Sequence, residues 1–307
     1  MLPIKLKLPD SFFEEEVRCG YTVSAETKKL WAVELDLLNE FITICEENKL
    51  RYFVCAGTLL GAIRHKGFIP WDDDIDVMMP RKDYQKLCKL AKQFKDPYFF
   101  QTEYTDPGSL RGHAQLRNSK TTAILNSELN TGFKFNQGVF MDIFPLDNLS
   151  DDPKQRKAFV KKIMSMRKRV VMFRNIPARK ALEKKRIKRI AKYAAAPVLK
   201  TLNKIFKIDH KLYVKYEILM QKNNHTKSRD VAFANFLSQG DRFVWNKSVL
   251  FAGSEQCDFE MLKVKIPKHY DEILQQSYGD WHQLVKGGSV HGGMLVDVEK
   301  PYTHYIK

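Results

Sequence analysis

Apolar residues first fall into a clear rhythm near residue 30. Leu30, Val33, Leu37, Phe41 and Ile44 repeat at helical spacing, and Trp31, Leu35, Leu38 and Ile42 widen the stripe, so a well-buried helix is expected from Ser24, a capping residue, to about Asn48. Tyr52 to Ala56 is a short apolar run ending at Gly57, a strand feeding a turn, and Thr58 to Ile63 suits a helix. Ile75 to Met79 reads as a strand stopped by Pro80, and Arg81 to Phe94 has helical period. Strands follow at Tyr98–Gln101, Arg111–Arg117, Thr121–Leu125 and Gly138–Phe144, the last ending at Pro145. A long helical region is expected over 153–193 with a break at Pro177, continuing over Ala194–Phe206 past Pro197, and the last third alternates helices and short strands.

This order predicts an α+β fold, a mixed sheet flanked by helices. The organisation expected is an irregular segment over 1–23, a core over 24–150, a helical segment over 151–210, and a C-terminal part over 211–307 packing on the core. At 307 residues and 44% hydrophobic the chain can bury a sizeable core.

Charge changes the picture in one place. Between Lys154 and Lys192 stand 17 Lys and Arg against one acid, Glu183, a net +16 that equals the net charge of the whole chain, so the remainder is close to neutral. Few aromatics accompany the run (Phe159, Phe173, Tyr193), which argues against nucleic-acid reading. Basic residues interleaved with Ile163, Met164, Val170, Val171, Phe173, Ile187 and Ile190 suit an interfacial helix on anionic lipid. No stretch is apolar enough to span a membrane, the N-terminus does not read as a signal peptide, and five cysteines without a CxxC pair favour a reducing compartment. The expected location is therefore cytoplasmic, peripheral on the inner face of the cell membrane.

The chemistry concentrates in Pro70-Trp71-Asp72-Asp73-Asp74-Ile75-Asp76-Val77. Consecutive carboxylates repel one another unless a cation neutralises them. On a strand, Asp74 and Asp76 project to one side, about 7 Å apart, while Ile75 and Val77 face the core. Hard oxygen donors suit Mg²⁺, with Mn²⁺ able to substitute. Upstream, Gly57-Thr58 at the start of a helix can hold a phosphate through backbone N–H groups, with Arg64, His65 and Lys66 supplying positive charge. Asp142, a charge inside the apolar run Phe140–Phe144, is either paired structurally or a third metal contact or catalytic base.

These words together resemble the LicD family. The stretch from Ala56 through Gly57-Thr58-Leu59-Leu60-Gly61 to Asp74-Ile75-Asp76-Val77 carries most of the likeness, with Gly138 to Asp147, Arg111 to Asn118 and Tyr278-Gly279-Asp280-Trp281. The resemblance implies a nucleotidyltransferase-like core in which Asp74 and Asp76 bind metal and Asp142 is the later acidic strand residue. It implies transfer of a phospho-alcohol, phosphocholine from CDP-choline foremost, to a sugar of a bacterial surface glycan: capsule, lipopolysaccharide or teichoic acid. Ribitol or glycerol phosphate transfer, or nucleotidyl transfer to a small molecule, are the alternatives. The partners implied are a CDP-alcohol and a glycan or lipid-linked sugar acceptor. The paired cysteines of the zinc insert in fukutin-related proteins are missing, so no zinc site is expected. Arg111, Arg117 and Lys66 are candidate phosphate contacts. Trp71 stacks on the donor base, faces a choline headgroup, or fills the core.

Overall fold

The computed structural model describes residues 2–129, 131–174, 197–287 and 293–306. Within the first 23 residues, expected to be irregular, a short hairpin forms. β1 (Glu16–Arg18) and β2 (Tyr21–Val23) pair antiparallel across Cys19 and Gly20, both at positive φ, the geometry that matches the twist of two joined strands. Ser24 then starts α1 (Ala25–Glu47), its hydroxyl accepting the Thr27 N–H at 3.2 Å. The apolar stripe is buried as its period requires: Trp31, Val33, Leu35, Leu37, Leu38 and Phe41 are all fully enclosed.

The helix packs on a seven-stranded mixed sheet. In chain order its strands are β3 (Phe53–Val54), β4 (Asp76–Pro80), β5 (Tyr98–Gln101), β6 (Ala114–Asn118), β8 (Val139–Asn148), β9 (Asp230–Ala232) and β10 (Val244–Asn246). A separate strand, β7 (Thr122–Leu125), pairs with β13 (Met294–Asp297), and β11 (Ser254–Phe259) pairs with β12 (Leu262–Pro267). α2 (Ala56–His65) bridges β3 and β4, and α3 (Arg81–Lys89) follows β4.

β8 is the axis of the sheet. Its first half runs antiparallel to β6, its middle parallel to β4, and its last residues antiparallel to β9. It also passes through Pro145, where the sequence suggested an end. Asp142 donates its N–H to Ile75 on the β4 side, so by alternation the Pro145 nitrogen faces the β6 side. β6 has already ended there, at the pair Ala114–Ile143, and the missing N–H leaves no ladder bond unmade.

The fold is α+β, as the element pattern predicts, with strands from beyond residue 211 completing the central sheet. α5 (Ile208–Met220) runs through the expected boundary at 210 and packs on α4 (Pro153–Arg174). Their buried faces, Phe159, Ile163 and Val170 against Tyr213, Tyr216, Leu219 and Met220, form a second core. Ile163 and Val170, expected at a lipid interface, belong to this core instead, at 1% and 2% exposure, because α4 turns that face toward α5. Residues 197–206 are helical. Residues 175–196, with the expected break at Pro177 and with Ile187 and Ile190, lie outside the described residues. Among the described residues, no helix is long and apolar enough to cross a membrane.

Candidate metal and transfer site

The parallel pairing of β4 and β8 sets Asp76 directly across from Asp142. Neighbouring strands lie about 4.8 Å apart, so two residues distant in sequence become adjacent carboxylates. Ile75 and Val77, fully buried on the opposite face, hold the strand in that orientation. Thr58 fixes the start of β4: its buried hydroxyl accepts the Asp76 N–H at 2.8 Å. The threonine of the Gly-Thr pair thus shapes the acidic strand, while Cys55 donates its N–H to the Asp76 carbonyl at 3.0 Å.

Gly57 shapes the acidic turn before β4. A Cβ at this position would fall 2.5 Å from Asp72 Oδ2, so any larger residue here would push the Asp72 carboxylate aside. Trp31 of α1 anchors the same turn, its indole N–H donating to the Asp72 carbonyl at 3.1 Å. The result is a tight group: Asp72, Asp73 and Asp74 offer ligand oxygens all within 4.8 Å of one another. Among the described residues no group that tight includes Asp76 or Asp142; Asp74 is the member that acts most strongly on Asp76. Burial first, then the carboxylates of Asp74, Asp142, Asp72 and Glu34, push Asp76 well above the usual carboxylate range.

On its other flank Asp142 meets β6. Gln115, its cross-strand partner, donates from Nε2 to Asp142 Oδ1 at 2.7 Å. The amide is held in that sense by Arg117, which donates to Gln115 Oε1, to Gln101 Oε1 at 2.6 Å and to the Gly138 carbonyl at 2.6 Å. His113 stands two residues before Gln115, on the same face, with Nε2 3.2 Å from Asp142 Oδ1. Asn235 Nδ2 donates to His113 Nδ1 at 3.2 Å, which leaves the ring proton on Nε2, toward the carboxylate. A second acid on β8 shows the alternative. Asp147 is 1% exposed and neutralised by Arg81, whose Nε donates at 2.7 Å, with Asn224 adding a hydrogen bond at 2.6 Å.

The basic and aromatic candidates divide. Arg117 is 1% exposed and works through Gln115; burial first, then the Arg111 charge, lowers it to about 9, still cationic at neutral pH. Arg111 pairs with Glu128 at 2.9 Å, and Arg174 of α4 joins the same carboxylate. Arg64 and Lys66 sit at the C-terminal end of α2, roughly 10 Å along the axis from Gly57. Arg64 donates to the carbonyls of Trp281 and Gln283 at 2.9 and 3.0 Å, and Lys66, exposed, is the left-handed cap of the helix. Trp71 packs edge-on to Tyr21, ring centroids 5.9 Å apart, against the main core. The acidic turn, Asp76 and Asp142 therefore come together with Gly57, Thr58 and Arg117 around them, while Arg64 and Arg111 point to other partners and Lys66 is exposed at the far end of α2.

Sequence reasoning passed over His113, Gln115 and Glu34. The first two carried a signal in their period-two spacing on a predicted strand. Glu34 carried one as a carboxylate one helical turn from Trp31, on the side of α1 read as buried. The acidic turn fits a divalent hard cation: its donors are all oxygen and it gathers three carboxylates, while Glu34 Oε2 on α1 is a buried carboxylate oxygen with no hydrogen-bond partner.

Comparison with known proteins covers the elements that build this site. Residues 49–173, which hold α2, the acidic turn, β4, β6 and β8, match the family described as LicD/FKTN/FKRP, nucleotidyltransferase domain. The chain is 31% identical over 259 residues to the lipopolysaccharide cholinephosphotransferase LicD of Haemophilus influenzae, covering 81% of this chain and 89% of that one. A shorter stretch of 59 residues, 19% of the chain, is 37% identical to uncharacterised proteins of Rickettsia prowazekii and Rickettsia typhi, covering 22% and 19% of them. The chain belongs to the LicD family and is a transferase of phosphate-containing groups.

Proposed function

We propose that the chain transfers phosphocholine from CDP-choline to a sugar of lipopolysaccharide, with Mg²⁺ held by Asp74 and Asp76 and with Asp142 as the base. The observation that carries this reading is the identity to the Haemophilus cholinephosphotransferase along nearly the whole of both chains. In the reaction, a sugar hydroxyl oxygen bonds to the phosphorus of the phosphocholine group. The bond from that phosphorus to the CMP oxygen breaks, and CMP leaves with the electron pair. The hydroxyl proton passes to Asp142, which Gln115 orients by a hydrogen bond to Oδ1 and beside which His113 Nε2 stands at 3.2 Å. Mg²⁺, when bound, supplies the positive charge that offsets the transferred phosphoryl group and the departing CMP. Incubating the protein and Mg²⁺ with CDP-choline, CDP-ribitol and CDP-glycerol, each with a lipopolysaccharide oligosaccharide, tests the donor through CMP release. CMP from CDP-choline supports the reading. Release from another donor alone reassigns the group transferred, and pyrophosphate from CTP instead would make the chain a nucleotidyltransferase.

The same proposal places the enzyme on the inner face of the cell membrane, where lipid-linked acceptors are met. The supporting surface combines lysines with exposed apolar side chains. Met164 and Val171 of α4, Ile218 of α5, and Val198, Leu202 and Ile205 along one face of the 197–206 helix are exposed, interleaved with Lys200, Lys204 and Lys215. Each basic residue near an anionic surface contributes about 1 kcal/mol. Replacing Lys161, Lys162, Lys168 and Arg169 by Gln is expected to release the protein from phosphatidylglycerol vesicles while leaving turnover of a soluble acceptor near wild type. Equal binding of the wild type to phosphatidylcholine and phosphatidylglycerol vesicles would contradict it.

A further inference from the structure

Glu34 stands in the middle of α1, on a face whose other members are apolar. It is 1% exposed, and its Oε2 has no hydrogen-bond partner. Such a group is costly in a core unless something outside its own element compensates it. The cations in the described part of this face, Arg18 and Lys28, lie over the Trp31 ring and are paired with Glu260 and Glu16. One turn earlier, Trp31 is hydrogen-bonded to the Asp72 carbonyl, which lays this face of α1 against the acidic turn. The charges that act on Glu34 are those of Asp74, Asp73 and Asp72, in that order, and Glu34 in turn acts on Asp76. A buried carboxylate thus faces the tightest group of carboxylates among the described residues.

We propose that Glu34 is a fourth carboxylate beside the acidic turn, outside the tight group formed by Asp72, Asp73 and Asp74, and that its charge helps that group hold a divalent cation. The inference rests on the metal reading of Asp74 and extends it to a residue on a helix that precedes the acidic motif by some forty positions. Two consequences follow. Removing the charge at Glu34 weakens the cation, by the ten- to hundredfold that loss of a supporting group around a metal typically costs. Removing it also relieves repulsion in the metal-free protein, so the loss of affinity comes without a loss of apo stability.

The test is Mn²⁺ binding to the full chain, followed by electron paramagnetic resonance of free Mn²⁺, alongside metal-free thermal melting, for wild type, Glu34→Gln and Asp74→Asn. The expected result is binding by wild type, none by Asp74→Asn, and at least tenfold weaker binding by Glu34→Gln, which melts at or above wild type without metal. Wild-type affinity in Glu34→Gln, with binding lost in Asp74→Asn, overturns the role of Glu34 and leaves the metal reading standing. Failure of the wild type to bind Mn²⁺ overturns both. Should Glu34→Gln not fold, Glu34→Asp is measured instead. It keeps the charge but withdraws it by one methylene, and is expected to bind several-fold more weakly; unchanged affinity there overturns the inference.

Discussion

Asp76 and Asp142 are separated by dozens of residues in the chain and face each other directly across the parallel strands β4 and β8. That register joins the Asp-Ile-Asp alternation to the later acidic strand, and Asp142 also meets a third strand, since Gln115 lies across from it on β6.

The two buried acids of β8 are predicted to respond oppositely to neutralisation. Asp142→Asn is expected to lower turnover by about a thousandfold or more while the melting temperature stays near wild type, because a carboxylate among carboxylates is removed. Asp147→Asn breaks the buried pair with Arg81 and is expected to cost about 3–5 kcal/mol of stability, since it strands an uncompensated guanidinium. Thermal melting and steady-state kinetics on both variants check the contrast.

Gln115 and His113 act through Asp142, so their loss should appear in kcat. Gln115→Leu and His113→Leu are each expected to reduce kcat by about 10–100-fold with KM for the nucleotide donor changed much less, as for groups that orient a reacting carboxylate. His113→Asn, which restores an N–H donor, is expected to recover part of the loss; a change confined to KM would place these residues on the substrate instead.

The pH dependence of metal-free stability has a defined sign. Asp76 is raised above its ordinary value of 3.8, so the folded state takes up its proton more readily than the unfolded state. Stability from that site is present at low pH and is lost as pH rises through the folded value. Metal-free Asp76→Asn is therefore expected to melt above wild type at about pH 8, with the gap closing on acidification. The difference between the two proteins cancels other titrating groups, including His65, which burial and then the Arg64 and Arg18 charges lower to about 4. Mg²⁺ should remove the gap at about pH 8 or reverse it; a gap independent of pH and Mg²⁺ would mean that Asp76 carries no such repulsion.

Much of this site is legible in the sequence because local periodicity governs it. Asp76 alternates with Ile75 and Val77, whose burial orients it, whereas Asp74 precedes β4 and groups with Asp72 and Asp73 in the turn. The Ser24 start and the length of α1 follow from capping and period alone, while α2 starts at Ala56, ahead of the expected Thr58, so that Gly57 lies in its first turn. What local pattern does not contain is register. Nothing near Arg117 distinguishes a phosphate ligand from a fully buried guanidinium bound to Gln101 and Gln115, because those partners arrive through strand pairing. The same holds for Arg111, which Glu128 and Arg174 claim, and for Ile163 and Val170, whose apolar spacing suits a lipid surface or a second core equally well. Pro145 misleads for a related reason: a proline ends a strand only where its nitrogen has a neighbour to bond.

A cation at Asp74 and Asp76, with Asp142 as base, is predicted to support transfer of phosphocholine from CDP-choline to a sugar. The most direct measurement is phosphorus NMR of one reaction containing CDP-choline, a lipopolysaccharide oligosaccharide and Mg²⁺, run with wild type, with Asp76→Asn, and with wild type in EDTA. The predicted result is a phosphodiester resonance on the glycan growing in equal amount with CMP for wild type alone, restored after EDTA by excess Mg²⁺. Equal product from Asp76→Asn, or undiminished product in EDTA, would contradict the account.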